Sequence, residues 1–279
     1  MTQTNSKQPL VSVCIPAYNN ADYIGETINC ILKQTWKNLE LVICDDHSSD
    51  RTVEVVQKFD DPRIHLYRNE KNLGMSGNWN NALHHCQGEY IKLICADDML
   101  KEDAIEKEVG VLIKHPEALL AESDTQFRDL DGNTKGMYHR YHKAGLVDGK
   151  KIGRACLFTK NWFGAPLNNT FRRSVLNTVH GFDPAFRYIL DYDFFMSIAC
   201  LGKVYIIHEP LNYFRLRNDS NTGKVLKDEQ DAYVREHEML LKKHQKDLHI
   251  TSLDYHLSVQ MRKFLNFGAG IYLKLFLRK

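Results

Sequence analysis

The sequence predicts an α/β fold, a mixed and mostly parallel sheet flanked by helices, followed by a helical extension at its C-terminal end. Three observations predict it. Short apolar runs alternate with amphipathic stretches from Leu10 to about His115, as strands joined by right-handed crossover helices do. Two of these runs, Leu39–Cys44 and Tyr90–Cys95, end on paired acids, Asp45-Asp46 and Asp97-Asp98, which cannot both enter a dry core and so mark strand exits. From Lys224 onward the composition becomes that of charged helices.

Taken in order, Leu10–Ile15 is a first strand, broken by Pro16 and the polar Tyr18-Asn19-Asn20. A helix should run from about Asp22 to Lys33, because Ile24, Ile28, Ile31 and Leu32 share one face. After the second strand, Ser48, Ser49 and Asp50 offer caps for a helix carrying Val53, Val56 and Phe59. Ile64–Tyr67 is a short third strand. The stretch Arg68 to Gly77 reads as a polar, glycine-bearing loop, and Trp79, Leu83 and Cys86 give the next helix its apolar stripe. The fourth strand, Tyr90–Cys95, leads through Asp97 and Asp98 to a helix starting near Lys101.

In this Rossmann-like order the ends of the first, second and fourth strands meet at the carboxyl edge of the sheet, where open α/β sheets bind ligands. That edge holds Tyr18, Asn19, Asp45, Asp46, Asp97 and Asp98, an aromatic face with hydrogen-bonding groups and hard oxygen donors. There is no GxGxxG after the first strand and no GxxxxGK[ST] anywhere, so a diphosphate here would have to be carried by a metal ion. A formal charge of +2 gives no reason to expect nucleic acid as a partner. The seven cysteines are scattered, and Cys14, Cys44 and Cys95 lie in strand-like runs, which favours free thiols in a reducing cytosol. MTQTNSKQPL lacks the basic start and apolar stretch of a secretory leader, and no window is apolar enough to span a membrane. A cytoplasmic protein, soluble or peripheral at the inner face of the membrane, is expected.

The stretch IPAYNNADYIGETINCILKQTWKNLELVICDDHSSDRT, then RNEKNLG, then YIKLICADDML resembles family 2 glycosyltransferases of the A-type nucleotide-sugar-binding fold, in order and spacing. The resemblance implies a catalytic domain over residues 1–222, with a nucleotide-sugar-binding half (8–122) and an acceptor half (123–222), and a helical extension over 223–279. It implies that Pro16, Ala17, Tyr18, Asn19 and Asp46 contact the base and ribose of a nucleoside diphosphate sugar, with Arg68, Asn72 and Gly74 in the bordering loop. Asp97 and Asp98 match the family's acidic motif, Asp98 being the expected direct ligand to manganese or magnesium. Many members carry another acid two residues before Asp97, where this chain has Cys95, a residue better suited to packing than to holding a hard cation.

Beyond Glu122 the periodicity weakens. Asp124 to Gly149, with YHRYH at Tyr138 to His142, reads as a long surface excursion, a basic aromatic loop that could touch an acidic or saccharide acceptor. His139 and His142 have metal-like spacing, yet no further ligand completes a site. Asp191 and Asp193 open a helix that buries Phe194, Phe195, Ile198 and Leu201, and residues two apart on a helix face different ways, so at most one meets a shared pocket. The resemblance puts Asp191 on the family's general base, with Leu190 where a Glu is usual. It also expects Arg-x-His near the end of the domain. Here Arg215 and Arg217 stand there, and a guanidinium binds phosphate rather than metal, so both are candidate diphosphate contacts.

In the extension, Lys227 to Lys246 mixes charges as a solvated face does. Tyr255 to Lys279 is basic and apolar, with no acid, and could lie in a membrane interface where a lipid-linked acceptor resides, or pack on the domain or on a second copy in a homodimer. Gly268 and Gly270 are expected to interrupt any long helix there. The function expected is an inverting, metal-dependent transfer of a sugar from a nucleoside diphosphate sugar to a saccharide or lipid-linked saccharide, in bacterial cell-surface polysaccharide synthesis. The alternatives are a degenerate sugar-binding relative and a sugar nucleotidyltransferase. Against the latter, no glycine-rich basic triphosphate loop follows Ile15.

Overall fold

A computed structural model describes residues 8–217 and 230–276, with side chains described only to residue 265 in the last helix. The first half follows the predicted alternation: β1 (Val11–Ala17), α1 (Ile24–Leu32), β2 (Leu39–Asp45), α2 (Thr52–Val56), β3 (Ile64–Arg68), α3 (Gly74–His85) and β4 (Tyr90–Leu93). Here β3, β2, β1 and β4 lie side by side and parallel. The fourth strand ends at Leu93 rather than Cys95, and a two-residue strand, β5 (Met99–Leu100), intervenes before α4 (Ala104–Lys114).

The second half departs further from the sequence reading. Asp124 does not begin a surface excursion, because it lies inside an eleven-residue strand, β6 (Ala118–Arg128). The following residues add β7 (Thr134–Tyr138) and β8 (Gly145–Asp148), then α5 (Gly149–Phe158), β9 (Asn169–Arg172), α6 (Leu176–Val179), α7 (Leu190–Leu201) and β10 (Lys203–Arg215). β6 alternates Leu120, Glu122 and Asp124 with Ala121, Ser123 and Thr125, and both faces are buried. That burial of polar residues is why no hydrophobic alternation announced the strand. β9 runs antiparallel to both β4 and β6, and β10 runs parallel to β6, which completes the order β3-β2-β1-β4-β9-β6-β10-β5.

Each sheet face carries an apolar layer. One packs Ile24, Ile28 and Ile31 of α1 and Ile105, Val109 and Leu112 of α4 against Val13, Ile15 and Ile43. The other packs Ala82, Ile152, Phe194, Phe195 and Ile198 against Cys14, Val42 and Phe171. Inside the first layer lies a buried ion pair. Lys92 Nζ donates to Glu108 Oε2 at 2.5 Å, and the hydroxyls of Ser123 and Thr170 donate to the same carboxylate at 2.6 Å each.

The last two helices, α8 (Gln230–Lys243) and α9 (Ser252–Phe276), belong to the same body. The expected solvated face of residues 227–246 is only half of α8, since Leu240 and Leu241 enter the second apolar layer with Leu248 and Val259. Glu236 of α8 reaches further: its carboxylate accepts the backbone N–H groups of Arg187, Tyr188 and Ile189 at 2.9, 2.8 and 3.1 Å, fixing the turn that leads into α7. Gly268 and Gly270 do not interrupt α9, which runs through both; a glycine costs only about 1 kcal/mol in a helix interior. Residues 277–279, the last of the basic tail, lie outside the described residues.

Candidate active site

The carboxyl edge is assembled by strand endings, as in the sequence reading. β1 stops at Ala17, whose carbonyl accepts the Asp46 N–H at 2.8 Å, so the two loops leave the sheet locked together. Pro16 and Ala17 are buried within β1 and present only backbone to the edge, whereas the Tyr18 ring is 50% exposed beside it. Asn19 takes a left-handed conformation, φ 53°, held by its N–H to Ser48 Oγ at 3.0 Å and its Oδ1 accepting from Ser49 N at 2.9 Å. Asp46 is buried and braces the loop after β3. Its Oδ1 accepts from Asn69 Nδ2 and from Leu73 N, both at 2.8 Å, and its carbonyl accepts from Asn72 Nδ2 at 3.3 Å. Gly74 opens α3 at φ 73°, a region costly for a side chain. Arg68 donates to Ser48 O at 3.2 Å and lies 3.4 Å from Asp45, ending beside the same loops. The predicted nucleotide residues therefore line one continuous edge.

The acids after β4 form the second part. A turn closed by Asp98 N–H on Cys95 O at 3.1 Å, and tied by the Thr27 hydroxyl to the carbonyls of Ala96 and Asp98, holds the pair. Asp98 is 1% exposed; its Oδ1 accepts from Arg215 N at 3.1 Å, and its Oδ2 is buried with no partner among the described residues. Burial first, then the neighbouring Asp97 charge, pushes the Asp98 carboxyl well above the ordinary carboxylate range. A buried carboxylate with an orphaned oxygen beside a second acid fits a hard divalent cation, whose charge offsets both penalties.

Arg215 and Arg217, the candidate diphosphate contacts, both bond to Asp97. Arg215 is 7% exposed, ion-paired with Glu26 of α1, and donates from Nε to Asp97 O at 2.9 Å. Arg217 donates to Asp97 Oδ2 at 2.9 Å, with its guanidinium 4.4 Å from the Tyr23 ring centroid. Both arginines are seated on the acidic turn itself, Arg215 as a brace between β10 and α1, and Arg217, its side chain 12% exposed, as a counter-ion to Asp97. A bound cation would compete with Arg217 for Asp97.

The third part is Asp191, half-buried in the first turn of α7, its Oδ1 accepting the Tyr192 N–H at 2.8 Å. Burial lifts its carboxyl to about 6. Asp193, two residues on, faces the opposite way: it is 1% exposed, paired with Lys243 Nζ at 2.7 Å and His244 Nε2 at 3.0 Å from the C-terminal end of α8. Leu190 is buried in the apolar layer, so the position usual for a Glu serves packing here. Cys95 connects the parts. Its sulfur lies within 4.8 Å of carboxylate oxygens of Asp97 and Asp98, and burial, then the charges of Asp98, Asp97 and Asp191, pushes the thiol well above its ordinary value. Sequence reasoning missed Glu236, Lys243 and His244, which position α7 from beyond the boundary expected at residue 222; a periodicity that buries Leu240 and Leu241 was the available signal.

A mostly parallel sheet with a polar carboxyl edge, an acidic turn after its fourth strand and a carboxylate in the first turn of α7 defines the A-type nucleotide-sugar transferase class. A family model, Glycosyl transferase family 2, matches residues 12–179, and the chain belongs to that family. Among relatives, the putative teichuronic acid biosynthesis glycosyltransferase TuaG of Bacillus subtilis is 39% identical over 113 residues, 40% of this chain and 44% of that protein. The Escherichia coli UDP-Glc:alpha-D-GlcNAc-diphosphoundecaprenol beta-1,3-glucosyltransferase WfgD is 39% identical over 106 residues, 38% of this chain and 42% of that protein. The matches thus span less than half of either relative. Among solved structures, S. aureus TarS 1-349 in complex with UDP-GlcNAc superimposes with a TM-score of 0.70 at 18% identity, covering 95% of this chain and 73% of that one. A mannosyltransferase from Pyrobaculum calidifontis in complex with GDP-Man and Mn2+ gives 0.61 at 19% identity, with the same coverage. These two establish the fold alone.

Proposed function

We propose that the chain transfers a sugar from a nucleoside diphosphate sugar to an acceptor hydroxyl with inversion at C1, in the building of a bacterial cell-surface polysaccharide. The observation that carries this reading is the acidic turn, where buried Asp98 keeps an oxygen without a partner among the described residues beside Asp97, at the edge lined by Tyr18, Asn19, Asp46 and Asn72. The base and ribose lie against Tyr18 and the Asn19–Asp46 edge, bordered by Arg68, Asn72 and Gly74. Asp97 and Asp98 hold a divalent cation, manganese or magnesium, which supplies charge stabilisation for the departing diphosphate. Asp191 accepts the proton of the acceptor hydroxyl as its oxygen attacks C1 from the face opposite the diphosphate. TuaG and WfgD are named for teichuronic acid synthesis and for a lipid diphosphate acceptor, which supports a saccharide or lipid-linked saccharide as acceptor.

The test is a thermal-shift panel of nucleoside diphosphates with and without Mn2+, on the wild type and on Asp98→Ala. One nucleotide should raise the melting temperature only with Mn2+, and Asp98→Ala should abolish that shift while leaving the ligand-free transition in place. A wild-type shift indifferent to metal would refute the cation assignment, and no shift with any nucleotide would refute the donor site.

The membrane-facing part of the reading rests on α9. Among the described residues no helix is long and apolar enough to cross a membrane. Leu253, Leu257, Met261, Phe264 and Leu265, between 39% and 71% exposed, recur at helical spacing on one face, with Lys263 exposed beside them. Arg262, counted from sequence as part of the basic tail, is instead 6% exposed. We expect co-sedimentation with phosphatidylglycerol vesicles that Leu257→Asp/Phe264→Asp weakens by at least about a hundredfold, the scale set by two buried apolar side chains at about 1.5–3 kcal/mol each. A stripe that drives dimerisation on size exclusion, with no vesicle binding, would assign this face to a second copy.

A further inference from the structure

His139 does not act with His142, despite their metal-like spacing. It lies just beyond β7, and its Nδ1 sits 2.8 Å from Asp124 Oδ2 of β6. A third residue joins them from β10. The register between β10 and β6 slips between Ile207 and Pro210, leaving His208 and Glu209 as a bulge opposite Ser123 and Asp124. Bulges re-aim side chains and recur beside functional sites. This one sends Glu209 to Lys101 and Lys107, at 2.7 and 2.5 Å, and brings His208 Nδ1 to 3.4 Å from Asp124 Oδ1.

We propose that Asp124, His139 and His208 form a second metal site, distinct from Asp97 and Asp98, for a borderline divalent cation of the zinc or cobalt class. The ligand atoms of all three lie within 4.8 Å of one another, a spacing that one ion can span. Asp124 is 1% exposed and its carboxylate is oriented by the Arg140 N–H at 2.8 Å, the kind of outer-sphere bond that fixes a metal ligand. The His139 and His208 side chains are 63% and 32% exposed, so an ion can enter from solvent and keep a water-filled position. Two imidazoles and one carboxylate select zinc-like ions over magnesium or calcium, which prefer oxygen alone.

Two cations stand nearby. The Arg140 guanidinium lies 4.3 Å from the Tyr138 ring centroid, and the Lys160 ammonium 3.7 Å from the same ring and 4.3 Å from that of Trp162. Their charge disfavours a bound cation and weakens its affinity. The bound ion would clip the segment after β7 onto β10. That segment includes Tyr141, whose ring meets Trp162 edge-on at 5.9 Å, so the ion would stiffen an aromatic rim rather than enter the transfer chemistry.

The test is a Co2+ titration of the chelator-treated full chain, followed by visible d–d absorption. Bands should appear at one equivalent in the wild type and persist in Asp98→Ala. They should need at least about tenfold more Co2+ in His208→Ala, the least that the loss of even an outer-sphere partner costs, and vanish in His139→Ala/His208→Ala. Should the alanine pair lose its far-UV circular dichroism, His139→Asn/His208→Asn, which can still hydrogen-bond to Asp124, gives the same readout. Bands that survive the double substitution, bands lost in Asp98→Ala, or a wild type without bands would each overturn the second site. The nucleotide thermal shift does not involve these histidines, so it reports on the donor site independently of the second one.

Discussion

Asp191→Asn is expected to lower turnover by ~10²–10⁴-fold, the usual contribution of a positioned general base, with metal-dependent nucleotide binding unchanged. The side chain keeps its size and its bond from the Tyr192 N–H, so the loss is that of the basic oxygen. Its environment adds a second signature. Burial raises the Asp191 carboxyl to about 6, and the base works only when ionised, so kcat/KM should rise with pH through about 6 and level off above it. That acid limb should disappear in the residual activity of Asp191→Asn. Turnover within a few-fold of wild type, or a pH profile unaltered by the substitution, would remove Asp191 from the base role and return attention to the acidic turn.

The second large effect is on stability. Lys92 and Glu108 are both fully buried, with Ser123 and Thr170 completing the bonds to the carboxylate. Lys92→Met should destabilise the protein by about 3–5 kcal/mol, since loss of the ammonium leaves Glu108 ionised in a dry interior or forces it to take up a proton. Lys92→Met/Glu108→Leu should recover part of that loss, because no uncompensated charge remains, although the two hydroxyls still lose their acceptor. Urea midpoints of the three proteins decide it. A single variant within about 1 kcal/mol of wild type would mean that the pair contributes little beyond filling space.

Near-neighbour patterns carried the first half of the molecule into the sequence. Period-2 and helical periodicities placed β1 to β4 and α1 to α4 within a few residues, because each element there buries apolar side chains that its own pattern displays. Strand exits followed from the same logic, and with them the shared edge that holds Tyr18, Asn19, Asp46, Asp97 and Asp98. Asp191 was legible only through resemblance to the family. Its separation in role from Asp193 needed no structure, since residues two apart on a helix diverge by geometry alone.

What only the tertiary structure decided lies where polar side chains are buried by partners distant in the chain. β6 carries Ser123, Asp124 and Thr125 inside, so from Asp124 on it reads as a loop until Glu108 of α4, His208 and Asn212 of β10, and Asn168 supply the bonds that make such burial tolerable. Arg215 became a brace because Glu26 and the Asp97 carbonyl meet it across 189 and 118 positions of sequence. The meeting of Asp124, His139 and His208 depends on a bulge, and a bulge is a mismatch between two strands that neither strand's sequence contains. Local patterns are set by what each residue does to its own segment; these sites are set by charges and hydrogen bonds between segments, whose partners are chosen only when the chain closes.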